Sequence, residues 1–239
     1  MNLSLVKLIL SFFDYFNKKK IIFFFKKKFN CKIQLFIDVG AHHGETIKVF
    51  NKNFNIENFL AFEASPKNYQ KLLKKTKNIN NLRTYNIGLG EKKTSSEFKE
   101  YFETESSTIV KINEHSNYYK RKNLYLDFLN REKNKYENIK IKIDRLDNVL
   151  DTLKIKKIDI LKIDTEGYDF QVMRGSGEFI KNVNYIYFEH HFHNMLIKNY
   201  TLSDIHKFME KNNFKKIFKI KMYFRKTFEY IYCNKSFIK

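Results

Sequence analysis

Short apolar runs alternate with amphipathic stretches along most of the chain. Mainly apolar runs bounded by polar or turn-forming residues predict five strands, at residues 35–37, 59–62, 84–89, 158–163 and 185–188. Apolar side chains at helical spacing predict helices at residues 46–54, 66–77 and 202–211, and the tail at 214–232 predicts two further strands. Strands that alternate with helices predict an α/β fold in which helices cover both faces of a mostly parallel sheet.

Residues 1–32 form a separate predicted element, a basic amphipathic N-terminal segment. Its apolar run is interrupted by Lys7 and Asp14, and it is too short and too charged to span a bilayer. Lysine triplets at 18–20 and 26–28 flank a second apolar run. Two interpretations remain open: the segment lies on an anionic membrane face, or it is a helix packed on the domain with a solvated lysine face.

The domain proper is expected at residues 33–239. A length of 239 residues and a hydrophobic content of 43% suit a domain with a substantial core. The Asn- and Lys-rich stretch at about 104–138 predicts an insertion within this domain.

The formal net charge of +20 is concentrated in three segments. Residues 1–32 carry +7, residues 111–142 carry +5 and residues 214–239 carry +7, so the rest of the chain carries only +1. This distribution favours attraction to an anionic surface or substrate over a basic catalytic groove. The two cysteines, Cys31 and Cys233, have neither disulfide nor metal-site spacing, which fits a reducing cytoplasm.

The first strand ends in the sequence DVGAHHG at residues 38–44. A dinucleotide-binding fingerprint requires glycines where this chain has His42 and Glu45. Asp38 would repel a pyrophosphate and instead favours a cofactor with a positively charged amino acid portion. Small residues in the same turn would let that portion approach the backbone closely: Gly40, Ala41 and Gly44. An ordinary strand-to-helix turn is the alternative.

Two later strand ends extend this candidate cofactor site. Glu63 and Ala64 follow the second strand, where a carboxylate could accept both ribose hydroxyls of a nucleoside. The alternative role for such an acid is to cap the next helix. Gly88 follows the third strand, where a small residue would let an adenine lie against the loop, although a simple turn accounts for it equally well.

The fourth strand ends in two carboxylates, Asp164 and Glu166, at the edge of the same expected crevice. Asp164 could orient the amino acid portion of the cofactor or the acceptor. Glu166 could act as a general base or could cap the next helix. After the fifth strand, His190 and His191 are further candidate bases, because histidine titrates in the required range. A metal site and plain structural histidines are the alternatives, and a continuing strand would send these two side chains to opposite faces.

These motifs together resemble the FkbM family of S-adenosylmethionine-dependent methyltransferases. The resemblance covers about residues 35–234 and rests on residues 38–41, 62–66, 105–107 and above all 161–167. It implies a Rossmann-like, seven-stranded methyltransferase fold with a reversed last strand and S-adenosylmethionine as cofactor. It also implies O-methylation of a hydroxyl on a sugar, glycolipid or polysaccharide. The chain departs from the family at residues 42–43, where Asn and an aliphatic residue are more usual.

A sugar hydroxyl is a poor nucleophile, so a general base is expected in the acceptor pocket, and the candidates are Glu166, His190 and His191. No resident metal is predicted. The insertion is expected to cover the acceptor pocket, with Ser106, Ser107 and three tyrosines as candidate contacts: Tyr118, Tyr119 and Tyr125. A solvated insertion that packs a few aromatic side chains is the alternative.

Two rival functions stay open. A nucleic-acid methyltransferase would suit the net charge of +20. Against it, the fourth strand lacks the Pro-Pro-aromatic motif of enzymes that methylate base amino groups, and two carboxylates there would repel a phosphate backbone. A non-catalytic binding protein that retains the fold is the second rival. The favoured expectation is a cytoplasmic enzyme with a small-molecule or glycan acceptor, no nucleic acid partner, and peripheral membrane contact through residues 1–30 as an option.

Overall fold

A computed structural model describes residues 3–101, 107–128, 136–223 and 225–237, with the side chains of residues 3–12, 122 and 125–128 outside that description. Ten strands are assigned: β1 (Lys32–Val39), β2 (Asn55–Phe62), β3 (Leu82–Tyr85), β4 (Gly88–Leu89), β5 (Thr94–Tyr101), β6 (Tyr136–Asp144), β7 (Ile158–Ile163), β8 (Val183–His191), β9 (Phe214–Lys221) and β10 (Thr227–Asn234). Seven α-helices are assigned: α1 (Leu3–Phe29), α2 (Glu45–Asn53), α3 (Pro66–Thr76), α4 (Asn117–Phe128), α5 (Leu146–Thr152), α6 (Asp169–Arg174) and α7 (Leu202–Lys211). Gly177–Asn182 and Lys235–Phe237 are 3₁₀ helices.

The main sheet has seven strands in the order β3-β2-β1-β7-β8-β10-β9. All neighbours from β3 to β8 pair in parallel, whereas β10 pairs antiparallel with both β8 and β9. The last strand in the chain is therefore the reversed one. This confirms the predicted α/β fold and the methyltransferase-like topology.

The sheet is buried because both of its faces are covered. The central strand β7 is buried at every position, as expected of a near-continuous apolar run in a parallel sheet. Near the end of β1, successive side chains join different cores: Leu35 and Ile37 pack in one apolar cluster, and Phe36 between them packs in the other. The carboxyl ends of the parallel strands therefore lie together at one edge of a sheet that is covered on both faces.

The N-terminal segment is a helix packed on the domain. Ile21, Ile22 and Phe25 are buried in the core cluster on one face of the sheet. The Phe24 and Phe218 rings lie 5.2 Å apart, which joins α1 to the edge strand β9. The described part of this segment therefore packs on the domain and leaves most of its lysines exposed. No helix in the described part of the chain is long and apolar enough to cross a membrane.

Two features differ from the sequence-based expectation. The strand predicted at residues 84–89 is divided into β3 and β4, because the chain turns at Asn86, whose side-chain amide donates to the Glu63 carbonyl over 2.9 Å. β4 belongs to a second sheet of order β4-β6-β5, which was not predicted. The insertion predicted at about 104–138 therefore follows β5 and ends at the start of β6. These two strands are antiparallel, and Tyr101 faces Tyr136.

Replacing Phe25 with Ala tests whether α1 belongs to the folded core. Its ring is fully buried and lies 5.7 Å from that of Phe50, so the substitution should lower the free energy of unfolding by about 3–5 kcal/mol. Phe23→Ala is the matched control on the same helix, because that side chain is 60% exposed, and it should change stability by less than about 0.5 kcal/mol. Urea unfolding measures both. Equal small effects would show that α1 does not pack on the sheet.

Candidate active site

A cavity of about 470 Å³ opens where β1, β2, β7 and β8 end. It includes the point between β1 and β7 at which the strand order reverses, where open parallel sheets bind ligands. Toward β2 the lining includes four small residues beside Glu63, and we name this the glycine end: Gly40, Ala41, Glu63, Ala64 and Gly88. Toward β8 and β10 the lining is acidic, and we name this the carboxylate end: Asp164, Glu166, Glu189, His191 and Glu229.

Gly40 allows the ends of β1 and β7 to meet. Its φ is +80°, and a Cβ atom at this position would lie 1.8 Å from the carbonyl oxygen of Asp164. The backbone N–H groups of Gly40 and Ala41 both donate to the carbonyl of Phe62. A side chain at position 40 would push these strand ends apart, so the turn requires glycine.

Gly44 has a different role from the other predicted cofactor residues. It lies outside the cavity lining, at the N-cap of α2, with φ +80°. A Cβ atom there would lie 2.6 Å from Cγ2 of Thr76, so this glycine lets α2 pack closely on α3.

Glu63 is buried in the glycine end and is held by backbone donors. Its two carboxylate oxygens accept the N–H groups of His42 at 2.7 Å and Ser65 at 2.9 Å. Burial nevertheless raises its pKa to about 7, because the N–H donors only partly offset the loss of hydration. Ala64 and Gly88 line the cavity beside it.

A buried ion pair lies beneath the centre of the cavity. Asp38 faces Lys162 across β1 and β7, and its side chain is fully buried and not part of the lining. The Lys162 ammonium donates to Asp38 at 3.0 Å and lies 3.4 Å from an oxygen of Asp164. Burial would lower the pKa of Lys162, but the two carboxylates outweigh burial and raise it, whereas burial raises the pKa of Asp38 despite the ammonium group beside it.

Lys162 was not among the sequence-predicted site residues, although it lines the cavity. The signal was present in the sequence, since a lysine inside an otherwise apolar strand needs a buried partner. Asp38 was predicted to face the cofactor directly. In the structure it lies beneath the lining and contacts Lys162 instead.

His191 occupies the carboxylate end and is surrounded by acids. Its Nε2 atom lies 3.5 Å from a carboxylate oxygen of Glu166 and 3.6 Å from one of Glu189, and its Nδ1 atom lies 3.2 Å from the Thr227 hydroxyl. Burial lowers the pKa of His191 to about 3, so the ring is neutral at neutral pH. Burial, reinforced by neighbouring carboxylates, raises the pKa of Glu189 well above its usual value.

His190 points to the other side of the sheet, because β8 continues through His191 and successive side chains alternate. It is buried with its ring 4.9 Å from that of Phe192 and 6.2 Å from that of Tyr200, outside the cavity lining. Glu189, which belongs to the same predicted cluster after the fifth strand, lies on the cavity side of β8 beside His191.

Segments outside the strand ends complete the carboxylate end. Tyr118 of α4 lines it with its ring stacked on that of His193 at 4.1 Å, as expected for the insertion. Three polar residues of α1 also line it: Asp14, Asn17 and Lys18. Ser107 lines the cavity, whereas Glu105 and Ser106, and the side chains of Lys122 and Tyr125, lie outside the described residues.

Possible metal ligands occur together at His42, His43 and Glu45, whose ligand atoms lie within 4.8 Å of one another. The Lys75 ammonium lies 3.1 Å from His43 Nδ1 and 3.8 Å from a carboxylate oxygen of Glu45. A lysine thus supplies positive charge at this group. Burial lowers the pKa of His43 to about 4.

Comparisons with known proteins agree with this geometry. A family model of the FkbM methyltransferase domain matches residues 38–216. No curated protein matches the chain in sequence.

Among solved structures, the FkbM methyltransferase of Methylobacillus flagellatus KT is similar with a TM-score of 0.52 and 14% identity over 84% of this chain. The match covers 44% of that protein, so the chain spans less than half of its length. The N-methyltransferase NodS of Bradyrhizobium japonicum WM9 is similar with a TM-score of 0.50 and 5% identity over 93% of this chain and 96% of that one. At such identities the likeness shows a shared fold.

Replacing Lys162 with Met tests the buried ion pair. The Asp38 carboxylate would remain buried without its partner, so the free energy of unfolding should fall by about 3–5 kcal/mol. The double variant Lys162→Met/Asp38→Leu should recover most of this loss, because it removes the uncompensated charge. Lys156→Met, at an exposed position before the same strand, serves as the control. A double variant no more stable than the single one in urea unfolding would contradict the pairing.

Proposed function

The chain belongs to the FkbM methyltransferase domain family, and on that premise we propose that it transfers a methyl group to a hydroxyl of a sugar, glycolipid or polysaccharide. It is a methyltransferase, and the cofactor of this family is S-adenosylmethionine. The observation that carries the choice of acceptor is the acidic lining of the carboxylate end.

The glycine end fits the nucleoside of this cofactor. We assign Glu63 to the ribose hydroxyls, since each carboxylate oxygen that accepts one N–H retains capacity for a second donor. Gly88 and Ala64 leave room for the adenine. Asp164 and Lys162 present one negative and one positive group, which complement the ammonium and carboxylate of the methionine portion. Bound there, the cofactor would supply an electrophilic methyl group on a sulfonium.

The carboxylate end suits an acceptor that donates hydrogen bonds. Glu166, Glu189 and Glu229 line it together with Asp164, and carboxylates are strong acceptors for hydroxyl groups. The same lining would repel a phosphate backbone. Although the net charge of +20 favours a nucleic-acid substrate, the charge at the place of reaction favours a neutral polyhydroxyl group. This proposal therefore includes no nucleic acid partner.

We assign the general base to Glu166. This carboxylate lines the cavity next to Asp164 and can accept the acceptor's hydroxyl proton during an in-line displacement. The Nε2 atom of the neutral His191 ring lies 3.5 Å from an oxygen of this carboxylate. Glu189 lines the same end of the cavity, and burial raises its pKa. His190 takes no part, because it lies on the other face of the strand.

The proposed place of action is the cytoplasm, with peripheral contact at the inner face of the membrane through residues 1–30. The formal charge of +7 in residues 1–32 supports this, because anionic leaflets attract basic segments.

Calorimetric titration with S-adenosylmethionine tests the cofactor site. If only ionised Glu63 accepts the ribose hydroxyls, the dissociation constant should rise about tenfold from pH 8 to pH 6, because the carboxyl with a pKa of about 7 becomes protonated as the pH falls. Glu63→Gln should bind more weakly and lose this pH dependence. Absence of binding by folded wild-type protein would favour the non-catalytic alternative.

Methyl transfer from radiolabelled cofactor to glycolipid and polysaccharide extracts tests the acceptor end. Glu166→Gln should lower the turnover about 10²–10⁴-fold, because the base is lost, with cofactor affinity unchanged. His190→Gln is the matched control and should retain turnover, because His190 lies outside the cavity. Label that enters only added RNA would identify the nucleic-acid alternative and overturn this acceptor class.

A further inference from the structure

Two basic segments that are far apart in sequence lie side by side in the fold. Residues 1–32 and 214–239 each carry a formal charge of +7. Helix α1 runs in the opposite direction along β9: the Phe13 and Tyr223 rings lie 4.6 Å apart, and the Asn17 side chain donates to the Lys221 carbonyl over 3.1 Å. Because β9 is the edge strand, both segments remain open to solvent on their outer side.

We name the outer surface of α1 the basic face, and its exposed cations are Lys19, Lys20, Lys26, Lys27 and Lys28. Lys219 of β9 points to the opposite face of the sheet, where its ammonium group lies over the rings of Phe228 and Tyr230. Such a concentration of positive charge at one edge of the molecule contrasts with the acidic cavity. The lysines therefore attract an anionic partner to this edge and not to the place of reaction.

Large aromatic side chains are interleaved with these lysines. Tyr15, Phe16 and Phe23 of α1 are 53%, 41% and 60% exposed, and Tyr223 after β9 is 41% exposed. The ammonium groups of Lys19 and Lys27 lie over the rings of Tyr15 and Phe23 at 4.5 and 4.3 Å. A face that needed only to be solvated would not expose several large rings together. Aromatic rings beside lysines are typical of surfaces that insert into the interface of a bilayer.

The same helix forms part of the cavity. Asp14, Asn17 and Lys18 line the carboxylate end, while their neighbours Tyr15, Phe16 and Lys19 face outward. Asp14 is anchored by Arg225, whose guanidinium nitrogen lies 3.1 Å from its carboxylate. The outer face and the acceptor end of the cavity are thus separated by the width of one helix, about 10 Å.

We propose that the basic face docks on an anionic phospholipid bilayer and that the acceptor hydroxyl is carried by a membrane lipid. Docking would place the carboxylate end beside the headgroup layer, where a lipid-borne sugar could enter it. The docking does not depend on the reaction, whereas the lipid-borne acceptor rests on the proposed function. RNA is the other polyanion that lysines attract, but exposed rings on a single helix and an acidic cavity beside it favour the bilayer.

Sedimentation of the full chain with sucrose-loaded vesicles tests the docking. The protein should bind vesicles of phosphatidylcholine that contain about 30% phosphatidylglycerol, an anionic lipid. It should bind vesicles of pure phosphatidylcholine at least about tenfold more weakly. Lys20→Glu/Lys27→Glu should reduce binding to anionic vesicles about tenfold or more, because each reversal removes attraction and adds repulsion. Tyr15→Ser/Phe23→Ser should reduce it without changing the net charge.

The matched control is Lys52→Glu/Lys71→Glu, an equal charge change at exposed positions of α2 and α3. Binding that falls equally in this control would show attraction by net charge alone and would overturn a specific docking face. Absence of binding to anionic vesicles, or displacement of the protein from them by RNA at equal phosphate concentration, would also overturn it. Titration with S-adenosylmethionine, run on the same variants, should be unchanged, so a failure of docking is distinguishable from a failure of the proposed function.

Discussion

The ion pair between Asp38 and Lys162 is the contact on which the site depends. It joins the two central strands at the point where the strand order reverses, and its Asp38 carboxylate is fully buried beneath the cavity. A slip of one residue between β1 and β7 would separate the charges and leave each buried alone, which costs far more than a lost surface bridge. The pair therefore fixes the register that brings Gly40 against Asp164 and aligns both ends of the cavity.

The cavity and the basic segments of the chain carry charge of opposite sign. Acidic side chains outnumber cations in the cavity lining, whereas the excess positive charge of the chain lies in residues 1–32, 111–142 and 214–239. Net charge alone would have indicated a nucleic-acid enzyme. Since reaction takes place at a few side chains, the local lining is the better guide to the acceptor, and the global charge is the better guide to the surface that the protein approaches.

The strand ends were predictable because each carries a residue that a buried strand does not otherwise tolerate. Asp38, Glu63 and Asp164 fall into this group, and the fold followed from the alternation of apolar and amphipathic runs. The contribution of α1 to the cavity lining was not predictable. A helical pattern in the sequence does not indicate which part of the fold its polar side chains will contact. The sheet that contains β5 and β6 was not predicted, because polar and apolar residues alternate only weakly along these strands. Many of their side chains are also exposed. The separation of His190 from His191 required knowing that β8 continues.

The helix α1 precedes the segment that defines the family by sequence, yet it supplies three residues of the cavity and buries Phe25 in the core. The evolutionary unit and the folding unit are therefore not the same. A change in this helix can therefore alter three residues of the cavity lining while the strand ends that build the rest of the lining stay as they are.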